Sequence, residues 1–533
     1  MASAKQARGE SLAYLGGMMQ RLISTLVLLT LAACSGGDTP TAPVTPTTPT
    51  TPTTPTPPVA FTVPAITREF RGMWIATVAN IDWPSSPTLT VAQQQAEMLA
   101  LLDLAQQRGL NAVVLHVRAA GDALYPSTLE PWMRSLTGTQ GANPGWDPLQ
   151  FAVTQAHERG LELHAWFNPF RAGNLSDTLR LAPNHFGVRR PDVMKRICGQ
   201  LWFDPGESAS HDQAIAVITD VLRRYAVDAI HLDDYFYPYP ASTGNCTAAS
   251  FPDSALFARY QAGGGTLGRD DWRRDNINRF VERLYRDVHA VTPTARVGIS
   301  PFGIWRPGIP AGINGLDSYA AIYADSRLWL QRGWVDYFAP QLYWSTASTA
   351  QNFLALVQWW AQQNTMTRHL WPGLASYRVQ DGTTSAFSSS EIPTQADLAR
   401  QQSTKAGGAT GVILYNATSV KNDRGGWAST LRGGLYAQDA LPPATPWLDA
   451  VPPADPAITV TGSGATLSVV ITDRATDSWW FLVRWRVGGV WRQRLVPRSV
   501  TSVPISAAGT IEGVVVNTVD RVGNASGDMI WRP

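Results

Sequence analysis

Between residues 68 and 436 the chain repeats one unit, in which an apolar run, a polar or aromatic loop, a helical pattern and a glycine turn follow one another. Short apolar runs that alternate with amphipathic helices are typical of parallel strands joined by crossover helices. The runs with the length of buried strands are residues 72–78, 112–117, 161–167, 229–232, 296–300, 337–342, 370–375 and 411–415. This alternation predicts an α/β fold, a (β/α)8 TIM barrel with long loops on one face.

Local signals support the barrel. Thr90 and Gln93 form a capping-box pattern before apolar residues at helical spacing. The tripeptide Arg-Gly-Leu recurs at residues 108–110 and 159–161, where glycine suits the left-handed residue that ends a helix. A doubly wound open sheet is the alternative fold, but no glycine-rich phosphate-binding pattern follows a predicted strand.

The N-terminal residues predict export. Arg21 precedes an apolar stretch that ends in Leu-Ala-Ala-Cys at Cys34, a pattern similar to the lipobox of bacterial lipoproteins. We predict a signal peptide at residues 1–34 with lipidation of Cys34, then a Thr/Pro-rich linker at residues 35–60. Ser35 fits the outer-membrane sorting pattern, so the predicted location is the bacterial cell envelope, lipid-anchored at the outer membrane and facing the periplasm. An ordinary signal peptide with an incidental cysteine is the alternative.

The pattern changes after the barrel, which we predict to span residues 61–440. A proline-rich linker at residues 441–457 precedes residues 458–533, where side chains alternate with period two between glycine, asparagine and serine turns. This alternation predicts a small C-terminal β-sandwich, and residues 519–524 resemble a strand-end turn of fibronectin type III or Ig-like modules. Such a module serves either to bind sugar or to pack against the barrel.

Charge and aromatic content narrow the class of partner. The net charge is +2 and no run of Lys or Arg forms a polybasic patch, which argues against a nucleic-acid partner. The chain has 21 tryptophans, an excess that is typical of carbohydrate binding. We therefore predict a polysaccharide partner, with membrane contact through the lipid anchor only. The sequence carries no indication of the oligomeric state.

One stretch, residues 227–240, concentrates the chemistry. It has the sequence V-D-A-I-H-L-D-D-Y-F-Y-P-Y-P, so Asp233 and Asp234 follow directly after a predicted strand and precede aromatic residues. Carboxyl groups transfer protons to and from glycosidic oxygens, and aromatic faces stack on sugar rings. A salt-bridged turn with the aromatic residues packed in the core is the alternative interpretation.

The other predicted strands also end in polar and aromatic residues. The carboxyl ends of barrel strands carry the active site, so we expect these side chains to line one cleft. The predicted substrate-binding residues are Trp74, Asp82, Trp83, Arg118, Trp166, Asn168, Tyr235, Trp305, Gln341, Tyr343, Trp344, Tyr415 and Asn416. Hydrogen-bonding and aromatic residues at so many strand ends indicate a polysaccharide cleft.

Three histidines alternate with apolar residues on neighbouring predicted strands. His116, His164 and His231 are compatible with a metal site, but a hydrogen-bonded layer of the barrel core is an equal alternative. No serine nucleophile elbow or cysteine–histidine pair is present. We predict neither a metal nor a cofactor.

Several longer motifs carry a family resemblance. The segments at residues 68–85, 116–127, 164–169, 231–238, 299–306, 323–327 and 334–344 resemble the bacterial glycosyl-hydrolase-like family ten. The resemblance implies a barrel glycosidase of the cell envelope, often a lipoprotein, that acts on peptidoglycan glycan strands. Asp228 and Asp233 also match two acids of the chitinase-like family eighteen pattern, but His231 and Tyr235 replace the other two. The chitinase mechanism is therefore not carried over.

Glycosidic cleavage normally requires two carboxyl groups. Adjacent strand residues point to opposite faces, so Asp233 and Asp234 form the pair only if the strand ends before them. We predict Asp233 as the first catalytic acid and Asp325 as its first partner, with Asp122 and then Asp82 as the next candidates. A non-catalytic glycan-binding protein and a metal-dependent deacetylase are the alternative functions.

The two remaining cysteines predict a disulfide. With Cys34 lipidated, Cys198 and Cys246 follow the third and fourth strands, whose loops lie on the same rim of a barrel. An exported compartment permits their oxidation. Two unpaired thiols are the alternative.

Overall fold

A computed structural model describes residues 61–240 and 250–533. The predicted signal peptide, Cys34, the Thr/Pro-rich linker and Cys246 lie outside the described residues. A parallel sheet forms the centre of the fold, with the order β10-β9-β8-β7-β3-β2-β1-β12-β11. Its strands are β1 Phe70–Ile75, β2 Ala112–Arg118, β3 Glu162–Phe167, β7 Ala229–Leu232, β8 Arg296–Ile299, β9 Tyr337–Phe338, β10 His369–Leu370, β11 Gly373–Leu374 and β12 Gly411–Leu414.

The sheet curls until its two outermost strands belong to one segment of chain. Only Trp371 and Pro372 separate β10 from β11. β10 pairs with β9, whereas β11 pairs with β12. The predicted α/β architecture is thus confirmed as a curled, TIM-barrel-like parallel sheet, with its strands at the eight predicted places.

Helices follow most strands and cover the outside of the sheet. They are α1 Val91–Gln107, α2 Pro148–Glu158, α3 Phe186–Arg189, α4 Ser208–Arg224, α5 Ser254–Ala262, α6 Arg269–Val291, α7 Ser318–Ala321, α8 Ser326–Arg332, α9 Phe353–Gln363, α10 Glu391–Gln401, α11 Ala417–Asn422 and α12 Trp427–Gly433. Thr90 and Gln93 cap α1 reciprocally, as predicted. Within the described ranges, none of these helices has the length and apolar character needed to cross a membrane.

The helices pack against the outer face of the sheet through apolar stripes. Met98 and Leu102 of α1 are buried with Val113 and Leu115 of β2 in the main hydrophobic core. Full burial of a side chain such as Leu102 contributes about 2 kcal/mol to the free energy of unfolding. The helix-ending glycine of the first Arg-Gly-Leu turn, Gly109, has φ 71°, which confirms its predicted left-handed conformation.

The inner face of the sheet is aromatic and polar. Phe70, Trp74, Trp166, Tyr337 and Trp371 belong to one buried cluster in the barrel interior. The rings of Phe70 and Trp371 stack with centroids 3.7 Å apart. Barrel interiors are more often filled by Val, Ile and Leu. The aromatic rings and hydrogen-bonding groups indicate that this interior has a role in addition to packing.

A small antiparallel sheet interrupts the loop after the third barrel strand, and the sequence analysis did not predict it. Its strands are β4 Arg171–Asn174, β5 Met194–Ile197 and β6 Gln200–Phe203, in the order β4-β6-β5. Cys198 lies in the tight turn between β5 and β6 and is disulfide-bonded. Its predicted pairing with Cys246 stays a prediction, because Cys246 lies outside the described residues.

The C-terminal residues form two antiparallel sheets. One has the order β13-β14-β17 and the other β16-β15-β18-β19. Their strands are β13 Ala457–Ser463, β14 Thr466–Thr472, β15 Ser478–Val487, β16 Val490–Pro497, β17 Ser502–Ser506, β18 Ile511–Asp520 and β19 Met529–Trp531. Val469, Phe481 and Val516 are buried in a shared core of both sheets. An all-antiparallel C-terminal unit is thus confirmed.

The segment predicted as a linker is bonded to the base of the barrel. Leu441 exchanges backbone hydrogen bonds with Thr67 and Glu69. Thr445 is fully buried and accepts a hydrogen bond of 2.9 Å from Arg296 Nε. Trp447 Nε1 donates to Asp336 at 2.8 Å. The segment at residues 441–457 therefore closes the base of the barrel as well as joining it to the C-terminal sheets.

Candidate active site

The fourth barrel strand delivers two carboxyl groups to the mouth of the barrel. Strand β7 ends at Leu232, so Asp233 and Asp234 both lie beyond its last residue. His231 pairs in register with Trp166 of β3 and with Gly298 of β8, in the interior of the sheet. Because the strand has ended, the alternation of faces no longer forces the two carboxyl groups apart.

Asp233 is held by donors from two elements. Gln341 Nε2 donates to Asp233 Oδ1 at 2.7 Å, and the backbone N–H of Asp234 donates to the same oxygen at 3.0 Å. The Ser300 hydroxyl oxygen lies 3.4 Å from Asp233 Oδ1. Asp233 is half-buried, whereas Asp234 is buried. The contacts of Asp233 with Gln341, with the Asp234 N–H and with Ser300 all involve Oδ1, and its carboxyl group is also hydrogen-bonded to the carboxyl group of Asp234.

Asp234 has a different environment. The Tyr239 hydroxyl donates a short hydrogen bond to Asp234 Oδ2. Burial raises the pKa of Asp233 well above its ordinary value, and the charge of Asp234 raises it further. Burial also raises the pKa of Asp234. Two adjacent carboxyl groups in a poorly solvated site disfavour a doubly ionised state, so one of them retains a proton.

Partly exposed aromatic rings surround the pair. Phe302 contacts Tyr239 and Trp344, with ring centroids at 6.2 Å and 5.6 Å. Tyr343 and Tyr415 stack with centroids 6.1 Å apart. The half-exposed rings near the mouth are Tyr235, Tyr239, Phe302, Trp305, Tyr343, Trp344 and Tyr415. Exposed ring faces beside carboxyl groups are the arrangement that binds sugar rings.

Asp82 and Asp122 flank this mouth. Burial raises the pKa of Tyr415, and the charges of Asp82 and Asp233 raise it further, so both carboxyl groups face that phenol. Asp82 uses both oxygens, because Ala76 N–H donates to Oδ2 and Asn416 Nδ2 donates to Oδ1. Burial raises the pKa of Asp82 to about 6.

Asp122 is less fully bonded. Its Oδ1 accepts from the backbone N–H groups of Ala119 and Ala120 at 3.3 and 3.0 Å. Burial raises the pKa of Asp122. Burial lowers the pKa of Arg171, and the nearby Tyr235 and Asp122 oppose that shift.

Three predicted site residues have structural positions instead. Trp83 is fully buried, and its indole donates to the Gln94 carbonyl at 2.8 Å beneath α1. Arg118 is buried in an ion pair of 2.5 Å with Glu130. Asp325 is the N-cap of α8, where its Oδ1 also accepts from Trp305 Nε1 at 3.2 Å. These contacts occupy the indole N–H of Trp83, the guanidinium of Arg118 and one carboxylate oxygen, Oδ1, of Asp325.

Other predicted residues support the mouth from below. Trp74 meets His231 edge-to-face with ring centroids 5.5 Å apart, and Trp166 stacks on His116 at 3.9 Å. Asn168 and Asn416 are buried, and Asn168 Oδ1 accepts from the backbone N–H of Arg171 at 3.0 Å. These side chains form the floor of the site.

The three histidines are part of the barrel core. His231 contacts Ser300 and Tyr337, and His164 contacts Tyr337 and Glu162. Burial lowers the pKa of His116 to about 3. Among the described residues, acidic or histidine ligands group closely enough to hold a metal only at Asp449, Asp477 and Asp520, in the C-terminal part of the chain. His164 and His231 thus have hydrogen-bonded positions in the barrel core, whereas both ring nitrogens of His116 are buried without a hydrogen-bond partner among the described residues.

Two residues of the site escaped the sequence analysis. Tyr239 bonds to Asp234, and Tyr337 bonds to two core histidines. A signal existed for Tyr337, because it alternates with Ala339 and Gln341 and therefore shares the inner face of the strand with Gln341. Tyr239 lies in an irregular loop, where periodicity gives no direction for a side chain.

Comparison with known proteins places these features in context. The family model described as Glycosyl hydrolase-like 10 matches residues 69–388. The protein named Glycosyl hydrolase YngK of Bacillus subtilis (strain 168) is 38% identical over 401 residues, which cover 74% of this chain and 76% of that protein. Glycosyl hydrolase DigH of Escherichia coli (strain K12) is 35% identical over 376 residues, or 66% of this chain and 82% of its own length.

Solved structures with a similar course of chain are more distant. The PgaB (BpsB) glycoside hydrolase domain from Bordetella bronchiseptica has a TM-score of 0.47 and 14% identity, and the alignment covers 69% of this chain and 98% of that one. The catalytic domain of beta-amylase from Paenibacillus polymyxa has a TM-score of 0.45 and 14% identity, with 70% and 99% covered.

Proposed function

The chain belongs to the glycosyl hydrolase-like 10 family, and from that premise we propose that this glycosidase cleaves the glycan strands of peptidoglycan with Asp233 as the proton donor. The observation that carries the proposal is the half-buried carboxyl group of Asp233, held at a strand end beside a second carboxyl group and bounded by exposed rings. Glycosidic bonds break when the leaving oxygen receives a proton from such a group.

The bonding of Asp233 suits it to donate a proton. Oδ1 accepts from Gln341 and from the backbone of Asp234, which are the bonds expected of a carbonyl-type oxygen. We place the proton on Oδ2, because neither of these donors bonds to that oxygen. Asp234 contributes by its charge, which raises the pKa of Asp233. This assignment gives the two neighbouring acids separate roles.

A second carboxyl group completes the proposed chemistry. We assign it to Asp122, because its hydrogen bonds among the described residues involve Oδ1 alone and leave Oδ2 for water or substrate. Asp82 is less suitable, since both its oxygens are bonded, and Asp325 caps a helix. In this assignment Asp122 acts as base or nucleophile.

The substrate class rests on the cleft and on the predicted export of the chain. Exposed aromatic rings favour a polysaccharide over a small polar substrate. The lipobox pattern at Cys34 and the Thr/Pro-rich stretch after it support an enzyme held in the cell envelope, where peptidoglycan is accessible. The C-terminal sheets, proposed as a fibronectin III or Ig-like sandwich, support the barrel by packing.

Substitution of Asp233 tests the proposal. Asp233→Asn preserves shape and removes the acid, so turnover should fall about 10²- to 10⁴-fold while glycan binding persists. Products from purified sacculi and from peptide-free glycan strands are identified by mass spectrometry. Asp103→Asn, which alters a half-exposed carboxylate on α1, is the matched control and should keep full activity.

Two results would contradict the proposal. Near-wild-type cleavage by Asp233→Asn would remove Asp233 from the mechanism. Binding of glycan strands without any product from the unaltered chain would favour the alternative of a non-catalytic glycan-binding lipoprotein.

A further inference from the structure

A continuous file of hydrogen-bonded side chains runs through the barrel interior and ends at Asp233. We call it the axial chain, and its members are Glu162, His164, Tyr337, His231 and Ser300, all of them buried. Its links are Glu162 Oε2 to His164 Nε2 at 3.1 Å, His164 Nδ1 to Tyr337 Oη at 3.0 Å, Tyr337 Oη to His231 Nδ1 at 2.8 Å, and His231 Nε2 to Ser300 Oγ at 2.9 Å. A last contact of 3.4 Å joins Ser300 to Asp233.

At the inner end of the axial chain, the donor and the acceptor of each hydrogen bond are fixed; we call this direction the polarity of the chain. Both terminal nitrogens of Arg296 donate to the two oxygens of Glu162, at 2.7 and 3.1 Å. A guanidinium can only donate, so this carboxylate is an acceptor. His164 is fully buried and bonds to this acceptor through Nε2, which therefore carries the ring proton of the imidazole. His164 therefore donates through Nε2–H to Glu162 and accepts at Nδ1.

This polarity passes outward one group at a time. Burial raises the pKa of Tyr337, which keeps its proton and donates it to His164 Nδ1. The Tyr337 oxygen then accepts from His231 Nδ1–H. Burial lowers the pKa of His231, so this imidazole is neutral and its Nε2 is an acceptor. The Ser300 hydroxyl is the group that donates to it, at 2.9 Å.

We propose that the axial chain commits the Ser300 proton to His231, withholds it from Asp233, and so makes Tyr337, His231 and Ser300 positioning residues that keep Asp233 protonated. A hydroxyl that donated to Asp233 would stabilise the carboxylate. A hydroxyl turned the other way does not. The inference rests on the proposed role of Asp233 as acid and adds the reason why that carboxyl group holds its proton.

The groups that face Asp233 leave this hydroxyl an important role. They are Asp234, Tyr235 and Tyr239 from its own loop, Ser300 after β8, Gln341 and Tyr343 after β9, and Tyr415 after β12. These neighbours are a carboxyl group, phenols, an amide and one hydroxyl. Gln341 Nε2 and the Asp234 N–H can only donate to Asp233, whereas the Ser300 hydroxyl has three acceptors within reach: Asp233 Oδ1, the Leu232 carbonyl and His231 Nε2. Its direction therefore decides how many donors the Asp233 carboxylate receives.

Breaking the axial chain at Tyr337 tests the proposal. In Tyr337→Phe, His231 loses the partner of Nδ1–H and takes the other tautomer, because an unpaired buried N–H is costly. His231 then donates to Ser300, and Ser300 donates to Asp233. The alkaline limb of the kcat/KM pH profile should move to lower pH by about half a unit or more.

A second substitution shows whether the shift passes through Ser300. Ser300→Ala alone should leave the alkaline limb where it is or lower it. In the Ser300→Ala background, Tyr337→Phe should produce no further shift. A rise of the alkaline limb in Ser300→Ala would overturn the proposal, since it would mean that Ser300 already donates to Asp233. An unchanged profile in Tyr337→Phe would overturn it too.

A matched control and a measurement without substrate complete the test. Tyr285→Phe removes a phenol bonded to a buried carboxylate at the outside of the sheet, Asp336, and should not move the profile. The free energy of unfolding of each variant is also measured against pH and compared with its Asp233→Asn counterpart. A carboxyl group whose pKa is higher in the folded state than in the unfolded state stabilises the fold at low pH. This contribution to the free energy of unfolding is lost as the pH rises from the unfolded-state pKa to the folded-state pKa.

In Tyr337→Phe this loss should end at a lower pH than in the unaltered chain. If the chain proves inactive on every glycan, this unfolding comparison still decides the axial chain by itself. A loss that ends at the same pH in both proteins rejects the axial chain even if the chain cleaves glycan.

Discussion

Asp233 and Asp234 are consecutive residues with different surroundings, and this difference is the basis for their different proposed roles. Asp233 is half-buried, whereas Asp234 is buried and receives the hydroxyl of Tyr239. Like charges so close together raise the pKa of whichever group holds the proton. Substitution of either residue should therefore change the pH dependence of the activity as well as the turnover rate.

The charge of Asp234 can be removed without changing its shape. In Asp234→Asn the pKa of Asp233 should fall, because the repulsion that raises it is lost. Asp233 then loses its proton at lower pH, so the alkaline limb of the activity profile should move to lower pH. The measurement is kcat/KM against pH for both proteins. An alkaline limb that stays in place would show that burial alone sets the pKa of Asp233.

Asparagine substitutions at Asp325 and Asp122 separate a helix cap from a catalytic acid. Asparagine is as good an N-cap as aspartate, so Asp325→Asn should keep stability and activity close to those of the unaltered chain. Asp122→Asn should lower turnover at least about 10²-fold. Initial rates on glycan strands and urea unfolding decide between them. Loss of activity in Asp325→Asn alone would restore Asp325 as the partner of Asp233.

At the scale of residues, the sequence predicted which residues lie at strand ends better than it predicted their side-chain contacts. The Asp233–Asp234 pair and the half-exposed Tyr343, Trp344 and Tyr415 follow strands whose ends were recognisable. Trp83 and Arg118 also follow such strands, but each turned towards a neighbouring element, an α1 carbonyl in one case and Glu130 in the other. Position after a strand fixes the edge of the sheet, and the packing of nearby loops decides the direction of the side chain.

At the scale of elements, regular patterns were predicted and irregular ones were not. The runs that became β1, β2, β3, β7, β8 and β12 are mainly apolar and wholly buried, as expected of strands in a covered parallel sheet. The three short strands in the loop after β3 are four residues long each and pair with each other, so they are too short for a strand alternation to be recognised. Local periodicity carries no signal for them.

The segment that joins barrel and C-terminal sheets offers a test at this scale. Thr445→Val keeps the size of the side chain and removes the hydroxyl that accepts from Arg296 Nε. An unpaired buried guanidinium N–H should lower the free energy of unfolding by about 1–3 kcal/mol. Urea unfolding followed by tryptophan fluorescence measures this. The exposed strand residue Thr459 provides the control, since Thr459→Val should change the free energy by less than about 0.5 kcal/mol. An equal effect at both positions would remove the structural role of Thr445.

At the scale of the whole molecule, the predicted organisation combines an anchor, a spacer, a barrel and a C-terminal unit. The barrel and the C-terminal unit are bonded to each other: Arg521 donates to the carbonyl of Val227, just before the fourth strand. The anchor and spacer stay predictions from the sequence, because they lie outside the described residues.

The anchor is tested by its cysteine. Cys34→Ala removes the predicted lipid attachment site, so the protein should move from the membrane fraction to the soluble fraction. Fractionation of cells that express either form, followed by immunoblotting, measures the change. Ser35→Ala is the control, since it leaves the cysteine in place and should keep the protein with membranes. A Cys34→Ala protein that stays in the membrane fraction would contradict lipidation.

The closed base of the barrel has a kinetic consequence. Thr445, Arg296 and His369 are all buried at the base of the barrel, where the axial chain begins. This end of the interior is closed to water, so the interior opens only at the mouth. A proton given up by Asp233 must be replaced through that opening, which the bound sugar also occupies. We expect recharging to depend on the role of Asp122: if Asp122 is the base, Asp233 regains its proton from bulk water after the product departs, and if Asp122 is the nucleophile, the water that cleaves the glycosyl-enzyme returns the proton to Asp233.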